Sequence, residues 1–167
     1  LCFDGEQQRR VAVKEYFPLG AVRHQGAVFA GRFGEVDFQA GLRRFQREAR
    51  VLAALQHPNI VRIHEYFCER QTAYLVSDFV AGEILAPHHR DWFAAVISAL
   101  SAVHSQGMVH GDIKPENILV RSDGSPVLID FGCSRPSHTE PTACLVSHGF
   151  SPPEQYSGHA LAPAADQ

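Results

Sequence analysis

The sequence reads as an α+β protein of short antiparallel strands and amphipathic helices, and three stretches lead to that reading. Val11-Ala12-Val13-Lys14 carries the two-residue alternation of a half-buried strand. Ile118 to Val120 and Val127 to Ile129 are short apolar runs joined through Ser122-Asp123-Gly124, a turn signal that makes them a β-hairpin. Phe93, Val96, Ile97, Leu100 and Val103 recur at helical spacing, which predicts a helix over 91–106. In an antiparallel pair the start of one strand lies beside the end of the other. Asn117, just before the first hairpin strand, and Asp130, just after the second, therefore emerge at the same end, where a divalent cation can bridge them. Asp112 and Lys114 sit on the loop entering that hairpin.

The remaining elements follow in order. After the Lys14 strand, the polar stretch from Leu19 to Gln39 reads as a long loop with room for small strands. Gly41 to Leu55 reads as a helix whose stripe of Phe45, Leu52 and Leu55 also contains Glu48. A carboxylate among core positions needs a cation, because an unpaired buried charge costs several kcal/mol. Arg44, four residues earlier on the same helix, is one local partner. Ala73 to Val76 reads as another strand, with an ordinary edge strand as the plain alternative, and Ser77 to Gly82 as the link that follows it. In the helix over 91–106, Asp91 is placed to cap the start and Gly107 to mark the stop.

His110-Gly111-Asp112-Ile113-Lys114-Pro115-Glu116-Asn117-Ile118-Leu119-Val120, followed by Leu128-Ile129-Asp130-Phe131-Gly132, resembles the catalytic and metal-binding loops of eukaryotic-type (Hanks-type) serine/threonine protein kinases, in a bacterial-like form. The resemblance implies a two-lobed fold, with a small antiparallel-sheet lobe carrying one helix in residues 1–80 and a larger, mainly helical lobe in 81–167. It further implies that the chain is an internal piece of the domain, truncated at both ends. By the same resemblance Asp112 accepts the proton of a substrate hydroxyl, Lys114 meets the transferred phosphate, and Asn117 and Asp130 hold Mg²⁺ or Mn²⁺. Lys14 falls on the ATP-binding lysine, paired with Glu48. Ala12 and Leu119 then line the ATP site, Ser77 is the small residue guarding the pocket behind it, and the main chain at Asp78 and Val80 meets the adenine edge. Asp166 matches the aspartate that anchors the catalytic-loop backbone.

Ser147 to Tyr156, containing Pro152-Pro153-Glu154-Gln155, resembles the end of an activation segment. Ser147, Pro153 and Glu154 would there meet the catalytic aspartate and dock the protein substrate. Aminoglycoside and choline phosphotransferases share the HGD triplet, but they usually carry His where this chain has Lys114, and they lack the Pro-Pro-Glu segment. A non-catalytic pseudokinase scaffold is the other alternative; retention of Lys14, Glu48, Asp112, Asn117 and Asp130 argues against it. Gly111 replaces the arginine that in most such kinases pairs with a phosphorylated activation segment. Phosphorylation of Ser134, Ser137, Thr139, Thr142 or Ser147 is therefore expected not to be strictly required. The stretch between Gly82 and Trp92 is short, so the small helix usual beside the nucleotide pocket is expected to be trimmed or absent.

The 167 residues are 45% hydrophobic and 20% charged with a formal net charge of -3, enough to bury a core and too acidic for an electrostatic nucleic-acid footprint. No stretch has the length and hydropathy to span a membrane, and no secretory signal stands out. The four cysteines have no paired spacing and the ten histidines no ligand pattern, so the spacing indicates reduced thiols and no zinc site. The expected partners are ATP, a divalent cation and a protein bearing a Ser or Thr acceptor, with autophosphorylation a further implication, all in the cytoplasm.

Overall fold

The computed structural model describes residues 1–132, 134–137 and 166, and the chain divides into two compact units. The first takes Leu1–Ala54 and Arg62–Phe79, the second Leu55–Val61 and Val80–Gln167. A single division at residue 80 therefore misplaces Leu55–Val61 and Val80. The physical reason lies in the backbone: Leu128 donates its N–H to the Asn59 carbonyl (2.8 Å), and Val61 donates to the Leu128 carbonyl (3.0 Å). Asn59 Nδ2 also reaches the Pro126 carbonyl at 2.7 Å.

In the first unit, β1 (Cys2–Asp4), β2 (Arg9–Glu15), β5 (Ile63–Glu69) and β6 (Thr72–Asp78) form an antiparallel sheet in the order β1-β2-β6-β5. The strand beginning near Ala73 is thus an inner strand, and the edge-strand alternative fails. It also runs two residues beyond Val76, so Ser77 and Asp78 end a strand rather than begin the link. Ala12 pairs with Ser77 and Lys14 with Leu75. A separate two-stranded hairpin, β3 (Val22–His24) with β4 (Ala27–Phe29), occupies the stretch expected to be a loop with small strands.

The helix of this unit, α1 (Glu35–Ala54), starts six residues before the expected Gly41 and ends one short of Leu55. Gly41, the expected helix start, lies inside the helix for a packing reason: a β-carbon at this position would collide with the Tyr16 hydroxyl, which bonds to the Phe38 carbonyl at 3.2 Å. Glu35 and Asp37 place negative charge in the first turn, where it complements the helix dipole, and Gln39 bonds back to Glu35 at 2.9 Å. Phe38, Ala49 and Leu52 are buried along the helix together with Glu48. Phe38 packs with Val28, Ala30, Tyr16, Ala21 and Leu42 in a satellite core.

The second unit contains α2 (Trp92–Ser105), β7 (Gly82–Ile84), β8 (Met108–Val109), β9 (Ile118–Arg121), β10 (Pro126–Leu128) and β11 (Arg135–Pro136). β9 and β10 are the expected antiparallel hairpin, with Ile118 opposite Leu128. Its turn closes through the Gly124 N–H on the Arg121 carbonyl (2.9 Å), with Gly124 at φ 83. β7 adds to the other edge of β9, and no helix lies between Ile84 and Trp92, as the short spacing predicts.

Two details of α2 differ from expectation. Asp91 sits in the left-handed region (φ 60) and makes no side-chain cap bond, so its carboxylate does not serve the first-turn N–H groups. The buried stripe is Val96, Ala99, Leu100 and Val103, whereas Phe93 and Ile97 are 64% and 36% exposed. Small Ala99 centres the packed face, and the larger Phe93 and Ile97, one turn apart, fall on its outer edge. Gly107 ends the helix as predicted, at φ 68, with its N–H on the His104 carbonyl (2.9 Å).

Candidate active site

In the second unit β8 delivers the chain into the loop 110–117, and two backbone hydrogen bonds to one carboxylate, itself tied to α2 by a third, fix the start of that loop. Asp166 Oδ2 accepts the His110 N–H at 2.7 Å and Oδ1 accepts the Gly111 N–H at 2.8 Å. His104 Nε2 donates to Oδ2 at 2.9 Å, and the Asp166 side chain is fully buried. The sequence resemblance gives Asp166 this anchoring place. His104 escapes sequence reading; its only signal is a basic side chain in the last turn of a helix otherwise made of apolar residues and serines. Gly111 adopts φ 76, where a side chain would strain the backbone, so the residue in the place of the usual arginine also suits the turn.

His110 is the pivot of the loop. Its ring is fully buried against Phe131, with ring centres 4.6 Å apart. Burial pushes the imidazole below its ordinary range, outweighing the opposing pull of Asp166, so the ring is neutral. Nδ1 accepts the Asp112 N–H at 3.3 Å, which leaves the proton on Nε2, facing the Ile129 carbonyl at 3.4 Å. One imidazole thereby joins the strand end before Asp130 to the backbone of Asp112.

The side chain of Asp112 meets the two residues expected beside it. Its Oδ2 lies 2.9 Å from Lys114 Nζ and accepts the Asn117 amide at 2.9 Å, while the same amide also reaches the Asp112 carbonyl at 2.8 Å. Asn117 is buried, and its backbone is locked to the hairpin by the Ile129 N–H on its carbonyl (2.8 Å). With Nδ2 committed twice to Asp112, the amide oxygen is the atom that Asn117 offers a metal. Asp130 follows β10 at φ 54, exposed, with Oδ1 taking the Gly132 N–H at 3.2 Å. An amide oxygen and a carboxylate are the hard donors that Mg²⁺ prefers, so the residues fit that ion. Leu119 lies on β9, half-buried.

In the first unit Lys14 is exposed near the end of β2 and Ala12 is half-buried two residues before it. Glu48 is buried on α1, with Arg44 Nε 3.7 Å from its Oε1, so the local partner is in place. At the end of β6 the Asp78 N–H donates to the Arg62 carbonyl (2.9 Å), and the Asp78 carboxylate meets His64 Nε2 at 2.6 Å. What Asp78 can present to an adenine edge is therefore its carbonyl, which the Ser77 hydroxyl approaches at 3.4 Å. Val80, in the second unit, is buried.

Ser147, Pro153 and Glu154 lie outside the described residues, as do Cys133, Thr139 and Thr142. Ser134 is described and is 2% exposed, its hydroxyl 3.4 Å from the His110 carbonyl. It belongs to the packing under the loop.

Comparison with known proteins gives one consistent result. The protein kinase domain family matches residues 2–167. Serine/threonine-protein kinase PknA of Mycobacterium tuberculosis (strain ATCC 25618 / H37Rv) is 34% identical over 145 residues, taking in 75% of this chain and 34% of that kinase. Probable serine/threonine-protein kinase PknB of Lactococcus lactis subsp. lactis (strain IL1403) is 37% identical over 130 residues, 69% of this chain and 21% of that protein. Among solved structures, "PpkA-294 apo form" matches with a TM-score of 0.74 at 30% identity, over 98% of this chain and 64% of that one. The chain thus spans about a third of the length of PknA.

Proposed function

This chain belongs to the protein kinase domain family, and from that membership we propose that it carries the machinery for moving the γ-phosphoryl group of ATP to Ser or Thr hydroxyls of proteins. The observation that carries the proposal is the Asp112 carboxylate, held by Lys114 and Asn117 at 2.9 Å each on a loop whose backbone is fixed from below. Asp112 takes the proton of the acceptor hydroxyl, a contribution of roughly 10² to 10⁴ in rate for a positioned base. Lys114, within contact of that carboxylate, supplies positive charge where the transferred group carries negative charge. Asn117 and Asp130 would hold Mg²⁺, which when bound neutralises charge on the β- and γ-phosphates. Lys14, kept in place by Glu48, binds the α- and β-phosphates; Ala12, Leu119, Ser77 and the main chain at Asp78 and Val80 receive the adenine. Ser147, Pro153 and Glu154 are assigned to substrate docking by resemblance alone.

The named relatives are serine/threonine-protein kinases, which supports a protein acceptor over a small alcohol or aminoglycoside and does not favour a non-catalytic scaffold. ATP as donor places the reaction in the cytoplasm; no helix among the described residues is long and apolar enough to cross a membrane. The test is Mg²⁺-ATP phosphotransfer by the protein, wild type beside Asp112→Asn, to a basic protein, to itself, and to aminoglycosides or choline. Phosphoserine or phosphothreonine in protein, lost in the variant, is the expected result. Transfer to the small molecules alone would refute it, as would ATP binding with no transfer.

A further inference from the structure

Beyond the phosphoryl-transfer residues, the second unit brings together a carboxylate and two imidazoles that no sequence spacing announces. Glu83 lies in the middle of β7, and His88 and His89 lie in the turn that follows. Glu83 Oε1 is 3.2 Å from His89 Nε2 and 3.8 Å from His88 Nε2. One ligand atom from each of the three residues fits within 4.8 Å of the others, and the two rings sit with centres 4.1 Å apart. Ligands of a tetrahedral zinc ion, at about 2.0–2.2 Å from the metal, stand roughly 3.3 Å from one another. The two edges from Glu83 Oε1 to the imidazole Nε2 atoms are close to that spacing before any metal enters.

We propose that Glu83, His88 and His89 form a binding site for a borderline transition-metal ion, Zn²⁺ foremost, with the fourth position open to solvent. Two imidazoles and one carboxylate match the donor preference of Zn²⁺ rather than Mg²⁺, whose all-oxygen demand is met at Asn117 and Asp130 instead. His89 is only 11% exposed, so one ligand is already held by packing, while Glu83 and His88 are 69% and 68% exposed and free to adjust.

Loading the site has a defined local consequence. His89 Nδ1 accepts the Ala86 N–H at 2.8 Å, so the metal-free ring carries its proton on Nε2, pointing at Glu83. Binding through Nε2 moves that proton to Nδ1 and opens the Ala86 bond, with no net proton taken up by the ring. The metal therefore replaces one tie across the turn by another, between the turn and β7. β7 in turn lies on the catalytic hairpin, with Ile84 opposite Leu119 and the Leu85 N–H on the Ile118 carbonyl at 2.9 Å.

The experiment is titration of the metal-stripped protein with ZnCl₂ by calorimetry, in reducing buffer and without nucleotide. It compares wild type with Glu83→Gln, His88→Ala and, as a control, His24→Ala on the exposed strand β3. One Zn²⁺ per chain is expected, with affinity reduced roughly tenfold or more in the first two variants and unchanged in the control. At ZnCl₂ just sufficient to saturate wild type, the Ala86 amide resonance should shift in wild type and much less in His88→Ala. Absence of saturable binding, or binding in Glu83→Gln and His88→Ala as tight as in wild type, would overturn the proposal. Both substitutions are at exposed side chains, and circular dichroism confirms that the variants are folded before they are scored. Because the readout is metal binding alone, its outcome is independent of phosphoryl transfer.

Discussion

Asp166 in the second unit keeps its carboxylate out of solvent under three N–H donors, whereas Glu48 in the first unit faces an Arg44 side chain that is still 41% exposed. Both are acidic residues placed by the same family pattern. The difference is in what each carboxylate holds. Asp166 fixes backbone, at His110 and Gly111, and so sets where the Asp112 carboxylate stands. Glu48 meets a side chain, that of Arg44 on its own helix. The loop that carries the chemistry is thus fixed at its backbone, whereas the Arg44–Glu48 tie joins two side chains of one helix.

That contrast is open to direct attack. Asp112→Asn should cost roughly 10² to 10⁴ in phosphotransfer rate while leaving the urea midpoint close to wild type, since the amide keeps the shape of the carboxylate. A large loss of stability instead would mean that Asp112 is part of the framework. Asp166→Ala strands two buried backbone N–H groups and His104, and should destabilise the second unit by about 3–5 kcal/mol in denaturant titration. If it costs less than about 1 kcal/mol, the loop is not held from below.

His110 gives that loop a pH signature. The unfolded chain binds a proton near pH 6.5 that the buried neutral ring refuses, so the unfolded state carries more protons below that pH. The His110 contribution is fully present above about pH 6.5 and is lost as pH falls toward the lowered value of the folded ring. Its slope is at most about 1.4 kcal/mol per pH unit. Urea titrations at about pH 7.5 and about pH 5.5, compared with His110→Phe, isolate it. The smallest effect belongs to the Glu48 side: Arg44→Ala should change stability by no more than about 0.5 kcal/mol, as expected for an i,i+4 pair with an exposed partner. A larger effect would show that the placing of Glu48 depends on Arg44.

Sequence reading was strongest where chemistry and short-range geometry coincide. The β9–β10 turn and the placement of Asn117 and Asp130 at its open end follow from residues whose spacing admits few alternatives, and the anchoring place of Asp166 follows from the family resemblance. It was weakest where packing overrides propensity. Gly41 looks like a helix start, and only the Tyr16 hydroxyl against it shows why a glycine sits in mid-helix. Asp91 looks like a cap, but a cap is a backbone conformation before it is a residue type. Phe93 and Ile97 fit the helical stripe, yet Ala99 defines the face that is covered. His104, and the grouping of Glu83 with His88 and His89, depend on contacts that spacing alone does not encode.

The short strap Leu55–Val61 has a consequence for how the molecule can be dissected. Its neighbours on both sides, Ala54 and Arg62, belong to the first unit, while the strap itself bonds to Leu128 and Pro126 in the second. The second unit is therefore discontinuous in sequence, and the Asn59–Pro126 bond closes a loop across 67 residues. A chain begun at the link near residue 80 would expose the Leu128 backbone along the edge that Asn59 and Val61 now cover. Closing so long a loop is an entropic cost met late in assembly, so docking of the strap is expected to be a slow step in building the unit that bears Asp112.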